Sequence, residues 1–205
     1  CLAQAALLRG AEVDLVHGPL TAPAALLEGL RCHPIATAAE LEAALLALQR
    51  TATAIAMAAA VADHRRAAPR ADKLPKQELE AALSGGWEPV PDLLAGLVAR
   101  RPPGQAILGF AAYSGLDLEP VRAKFARKGC DLLFANPIDQ PGCGFGSPTN
   151  AGWLLAPGGV ETRLESASKL AMAHRLLTAL GAVSPPVGIA PAGRPPAEPP
   201  AASDP

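Results

Sequence analysis

Short apolar runs alternate with longer amphipathic ones along this chain, and that alternation most limits what it can fold into. TATAIAMAAA (51–60), AILGF (106–110) and DLLFAN (131–136) are near-continuous apolar runs of strand length. Such runs suit strands buried on both faces of a sheet. Helix-period segments stand between and after them. LEAALLALQR (41–50) follows a capping-box signature at Thr37–Glu40, and LLAGLVARR (93–101) is opened by Pro91-Asp92. LDLEPVRAKFARKG (116–129) is closed by Gly129, and SKLAMAHRLLTAL (168–180) is the last of the set. Strands that leave into helices and return give an open, mostly parallel α/β sheet flanked by helices. GWLLAPGGVETRLE (152–165) reads as a C-terminal β-hairpin.

The remaining segments read less sharply. Residues 1–10 are the tail of a helix with Gly10 as C-cap, AEVDLV (11–16) is a short strand, and RCHPIAT (31–37) is an edge strand or loop. Residues 64–77 read as a polar loop, ELEAAL (78–83) as a strand, and PGCGFGSPTN (141–150) as a flexible loop or flap. From Pro185 onward eight of the last 21 residues are proline, so residues 183–205 are expected to be a disordered Pro/Ala-rich tail behind one domain, residues 1–182.

Charge and cysteine usage exclude several function classes. The formal net charge is -1, whereas a duplex nucleic-acid binder carries a basic excess. Aromatic residues are 3% of the chain, too few for a single-strand stacking platform. No uninterrupted apolar run reaches the length of a membrane span. Cys1, Cys32, Cys130 and Cys143 show no CxxC spacing, so free thiols and a cytoplasmic location are expected.

In sheets of this kind ligands bind beyond the carboxyl ends of the strands. Those exits, Ala59–Asp63, Gly109–Ala112 and Ala135–Pro137, are rich in small side chains. Such residues let a ligand reach the backbone, or simply allow close packing in an alanine-rich chain. Four of the five lysines form two close pairs, Lys73 with Lys76 and Lys124 with Lys128. The second pair shares one helical face. Compact ammonium groups suit phosphate oxygens, and solvated surface pairs remain the other reading. The G-x-G of residues 142–146 is followed by no helix pattern, so it is not a dinucleotide fingerprint. The four histidines lack ligand spacing, and no nucleophile elbow or Walker lysine is present.

Taken in order, these segments resemble the phosphopantothenoylcysteine synthetase family, the second half of a bacterial bifunctional protein of coenzyme A biosynthesis. The resemblance rests on Arg9–Val13, Val16-His17-Gly18-Pro19, Ala59–Asp63, Lys73-Leu74-Pro75-Lys76, Pro91–Leu94 and Gly109–Ala112. Lys124 with Lys128, Asp131–Asn136, Gly144–Asn150 and Ser168-Lys169 complete it. Lys73 lies ten positions after Asp63, and Lys124 fourteen positions after Phe110.

The resemblance implies a Rossmann-like fold and a ligase. The carboxylate of 4'-phosphopantothenate would attack the α-phosphate of CTP and expel pyrophosphate. The amine of free cysteine would then displace CMP from the acyl-cytidylate. Carried over by motif, Lys73 would be catalytic. Met57, Ala58, Ala59, Asp63, Lys73, Pro91, Asp92, Leu93, Leu94, Phe110, Lys124 and Lys128 would contact CTP. Asn136 and Lys76 are further site candidates. Magnesium would ride on the nucleotide with no protein ligand assigned, and the whole protein would form a homodimer or higher oligomer.

Three positions depart from the family pattern. Pro89 stands where lysine is usual, Tyr113 where an acidic residue follows G-F-A-A, and Pro148 where aspartate is usual. The family's first strand and substrate-phosphate loop have no counterpart after Cys1. The expectation is therefore a domain cut within its first helix, missing its first strand, binding CTP weakly and not turning over. The alternative is a non-catalytic nucleotide-binding or regulatory α/β module.

Overall fold

The computed structural model describes residues 1–68, 72–144 and 146–183. Phe145 of the glycine-rich run and residues 184–205 of the tail lie outside them. The first helix, α1 (Leu2–Leu7), is followed by a parallel ribbon of β1 (Asp14–His17) and β2 (Arg31–Pro34). Helix α2 (Ala38–Gln49) leads to β3 (Ala54–Met57). An arm comes next: β4 (His64–Arg66), a 3-10 turn, α3 (Leu79–Ser84) and β5 (Trp87–Pro89). Then come α4 (Leu93–Arg100), β6 (Ala106–Tyr113), α5 (Glu119–Lys128) and β7 (Leu132–Pro137). The hairpin β8 (Thr149–Ala156) and β9 (Val160–Ser168) and the helix α6 (Lys169–Val183) close the fold.

The main sheet has the order β3-β6-β7-β8-β9. Its first three strands are parallel, and the hairpin is added antiparallel. Period-two alternation divides the core between the two faces. Ile107, Ala111, Leu133 and Ala135 pack with Leu93, Leu94 and Leu97 of α4 and Val121 of α5. Ala106, Leu108, Leu132 and Phe134 pack with Met172, Leu176 and Leu180 of α6. Each large side chain so buried contributes about 1.5–3 kcal/mol. Gly109 sits where a Cβ would meet Leu94 Cδ2 at 2.8 Å and Leu133 Cδ1 at 2.9 Å, so α4 lies directly over β6.

Several local expectations hold. Thr37 and Glu40 form a complete capping box at α2, and Gly129 ends α5 in the left-handed conformation (φ 66°). Residues 31–34 are a strand, parallel to β1.

Other local readings are corrected. The run 51–60 is not a strand buried on both faces. Only residues 54–57 pair, at the edge of the sheet, and Ala54 and Ala56 are exposed. An edge strand shelters less of its apolar surface than its composition allows. Residues 78–83, read as strand, fall almost wholly in the helix α3, because Leu, Glu and Ala all favour helix once no sheet neighbour is present. The polar loop contains β4, which pairs antiparallel with β5. The glycine-rich loop is tied down: Ser147 Oγ and Thr149 Oγ1 both donate to the Gly142 carbonyl, at 2.8 and 2.6 Å.

Candidate active site at the strand exits

Strands β6 and β7 outrun β3. Met57 lies opposite Gly109, and Phe110–Tyr113 continue beyond it, paired with Phe134–Pro137. The chain leaving β3 carries Ala58, Ala59 and Ala60, all exposed. Together with Ala111 and Ala112 this gives a carboxyl edge of small side chains beside accessible backbone, the place where open α/β sheets bind ligands. The loops beyond it are joined. Ile138 N–H donates to the Tyr113 carbonyl at 2.9 Å, and Gly115 N–H donates to Asp139 Oδ2 at 2.7 Å. Burial, with the Asp139 carboxylate nearby, pushes the Tyr113 phenol above its usual pKa.

The sheet divides the expected nucleotide residues. Met57, Leu93 and Leu94 are buried in one cluster on the α4/α5 face. Phe110 belongs to the opposite face, edge-on to Phe134 with ring centroids 5.9 Å apart, and by alternation Asn136 shares that face.

Asp92 and Lys128 meet directly. Asp92 caps α4, accepting the Ala95 N–H at 3.1 Å on Oδ1, and its Oδ2 accepts from Lys128 Nζ. Burial alone would raise the Asp92 carboxyl pKa. The Lys128 and Ala95 hydrogen bonds, with the Lys128 and Arg127 charges, outweigh it and hold the group below its usual value. Lys124, one helical turn nearer the start of α5, is half-buried and makes no hydrogen bond or ion pair among the described residues. It offers a free ammonium where Lys128 does not.

Lys73, Lys76 and Asp63 lie on or beside the arm rather than in the crevice wall. All three are exposed, and their side chains make no hydrogen bond or ion pair among the described residues. Asp63 enters through its backbone, accepting the Val90 N–H at 2.9 Å and so extending the β4–β5 ladder. Pro91 precedes the cap of α4 and also lines a depression of about 60 Å³ between α2 and α4, with Leu45, Leu46 and Leu93. A small-molecule site occupies roughly 300–1,000 Å³, so that depression is too small for a nucleotide. Sequence reasoning missed Asp139, whose only signal was an acid just beyond a strand exit.

The sheet order and the small side chains at its carboxyl edge define an open, mostly parallel α/β domain flanked by helices. More specifically, the chain belongs to the family described as DNA/pantothenate metabolism flavoprotein C-terminal domain, whose family model matches residues 1–183. It is 38% identical over 196 residues to the coenzyme A biosynthesis bifunctional protein CoaBC of Mycobacterium tuberculosis (strain ATCC 25618 / H37Rv), covering 87% of this chain and 44% of that protein. Against the protein of the same name from Escherichia coli (strain K12), identity is 36% over 151 residues, covering 73% of this chain and 37% of that protein. The chain thus spans less than half the length of these relatives. Among solved structures, the C-terminal domain of CoaBC matches with a TM-score of 0.68 and 25% identity, over 88% of this chain and 80% of that one. The complex of Cab2 mutant H337A with phosphopantothenate-cysteine shares the fold, with a TM-score of 0.52 at 17% identity, over 76% of this chain and 53% of that one.

Proposed function

We propose that this domain joins cysteine to 4'-phosphopantothenate in coenzyme A biosynthesis, using CTP. The family match across residues 1–183 supports the reaction class. The structural observation that carries the nucleotide part is Lys124: a half-buried residue with no partner among the described residues, one turn before the α4-bound Lys128 on the same face of α5. A phosphate bound there would be the partner that this ammonium lacks among the described residues.

In this reading a carboxylate oxygen of 4'-phosphopantothenate bonds to the α-phosphorus of CTP while the bond to the β-phosphate oxygen breaks and pyrophosphate leaves. The cysteine amine then bonds to the acyl carbon, the bond to CMP breaks, and the ammonium proton goes to solvent. Lys124 would balance phosphate charge, and Lys73 would reach in from the arm as the catalytic cation. The Met57–Ala59 backbone, Asp63 and the Pro91–Leu94 segment would lie along the nucleotide. Phe110, Asn136 and Lys76 would border it.

The residues fit magnesium only as a nucleotide complex. No group of three or more His, Cys, Asp or Glu among the described residues could hold a metal ion. Magnesium needs just one or two carboxylates when phosphates supply other ligands, and Asp63 is the candidate. Bound there, the ion would neutralise the charge that develops on the leaving pyrophosphate.

We also infer that the full-length protein forms a homodimer or higher oligomer in a cytoplasmic setting. The four cysteines are free thiols, as a reducing compartment leaves them. Light scattering reads the mass.

The test is pyrophosphate release with CTP, 4'-phosphopantothenate and cysteine, using the protein expressed from its complete reading frame. Lys73→Ala and Lys124→Ala should each slow turnover by about tenfold or more. Wild-type rates in both variants would refute the assignment. CTP binding without pyrophosphate release would leave the non-catalytic nucleotide module.

A further inference from the structure

The exits of β6 and β7 end in a small polar group that the nucleotide reading does not use. Tyr113 is the last residue of β6 and stands two residues beyond Ala111 on the same face, about 7 Å farther along the strand. Its side chain is half-buried, and its phenol oxygen makes no hydrogen bond among the described residues. Burial, then the Asp139 carboxylate and Cys143, push the phenol above its usual pKa, so it stays an O–H donor at neutral pH. Asp139 lies two residues beyond the end of β7. Its Oδ2 accepts the Gly115 N–H at 2.7 Å, and its Oδ1 accepts no hydrogen bond among the described residues. Arg163 joins the group from β9. The register sets it opposite Trp153, and Trp153 opposite Ala135. Ala135 and Trp153 pack on the α4/α5 face, so Arg163 shares that face with Tyr113. It lies close enough for its charge to draw the phenol partly back down. Glu165 meets its Nε at 3.1 Å, and no hydrogen bond engages its two terminal nitrogens among the described residues.

One carboxylate, one neutral donor and one guanidinium around one strand exit are the complement of a zwitterion. A polyphosphate would be repelled by Asp139 and Glu165. An α-amino acid instead brings an ammonium for the carboxylate and a carboxylate for the two donors. The reaction proposed above consumes one such molecule. We propose that Tyr113, Asp139 and Arg163 form the subsite for the α-amino-acid substrate, which is cysteine in that reaction. Asp139 takes the ammonium, and Tyr113 and Arg163 take the carboxylate. The assignment rests on the ligation reading given above and adds the residues that select its amino acid. It also gives Tyr113 a task that an acidic residue at that position could not perform, donation to an anion, while the acid of this corner comes from the loop after β7.

The experiment is steady-state ligation by the protein expressed from its complete reading frame, with cysteine or cysteamine varied at saturating CTP and 4'-phosphopantothenate. Cysteamine keeps the amine and the thiol but has no carboxylate. Asp139→Asn should raise KM for both amines about tenfold. Tyr113→Phe and Arg163→Gln should raise KM for cysteine about three- to tenfold. They should lower the ratio of cysteine to cysteamine kcat/KM by the same factor, because only cysteine has the group they hold. KM for CTP, read at saturating cysteine, should move by less than about twofold in all three variants. If Asp139→Asn or Arg163→Gln fails to fold, Tyr113→Phe, which removes a single oxygen, carries the comparison. A cysteine KM within about twofold of wild type in every folded variant overturns the proposal alone. An unchanged cysteine-to-cysteamine ratio in Tyr113→Phe does the same, as does a KM for CTP that rises as much as that for cysteine. No ligation by the wild type overturns the ligase reading and this proposal together.

Discussion

Two glycines show how much a missing side chain decides. A Cβ on Gly109 would meet the ends of Leu94, Leu133 and Cys130, all of which can turn aside. A Cβ on Gly152 would lie 2.1 Å from the Ala135 carbonyl oxygen, and backbone cannot turn aside. Gly109→Ala should therefore cost about 1–3 kcal/mol by overpacking. Gly152→Ala should cost more, because β7 and β8 must separate where Ala135 faces Trp153. Urea unfolding of both variants checks the order, and equal losses would contradict the close approach. Neither demand was visible in the sequence. Gly109 stood inside an apolar run and Gly152 at the head of a hairpin strand, and only the neighbouring strand makes either position intolerant.

Among the elements, the arm of residues 64–89 owes least to the core. Arg66 holds it together, donating through Nη1 to the Ala82 and Gly85 carbonyls at 2.5 and 2.6 Å. Its guanidinium carbon also lies 5.3 Å from the centre of the Trp87 ring. Leu79, Leu83 and Trp87 remain exposed, so little apolar burial supports the arm. Arg66→Ala should free its amides to exchange much faster while global stability falls by less than about 1 kcal/mol. Hydrogen exchange read by mass spectrometry separates the two effects, and an equal loss of protection in β6 would show the arm to be part of the core. The contrast with α2 is instructive. Its capping box is a local interaction three residues long, so the sequence reveals it. The β4–β5 pairing joins segments more than twenty residues apart, so the sequence does not.

At the scale of the molecule, stability should be greatest in a window bounded by carboxyl groups below and a thiol above. Asp14, held by Arg31 and His33, and Glu40, held by the Ala36 and Thr37 amides, lie below their usual pKa values. Burial raises Asp92, but its bonds to Lys128 and Ala95 bring it below its usual value, and Arg122 lowers Glu161. The stability these groups contribute is complete above the unfolded carboxylate range of roughly pH 4. It is lost as pH falls through the depressed folded values. Cys130 behaves oppositely. Burial pushes its thiol up against weaker backbone hydrogen bonding, so the unfolded chain ionises first and stability declines above about pH 8.5. Denaturant midpoints across pH should fall at both ends, and Cys130→Ala should shrink the alkaline decline. An unchanged alkaline limb in that variant would remove Cys130 from the account.

The sequence by itself determined the class of fold, the order of most helices and strands, the caps at Thr37 and Gly129, and the segments that meet at the strand exits. These are written locally, in period, caps and turn residues within a few positions of one another. Tertiary structure alone decided that residues 54–57 are an edge strand, that residues 79–84 are a helix, and that Phe110 faces away from Leu93 and Leu94. It also decided that Lys128 is held by Asp92 while Lys124 is not. Spacing on a helix fixes which side chains share a face. What that face meets depends on a residue 36 positions away in sequence, and only packing brings the two together.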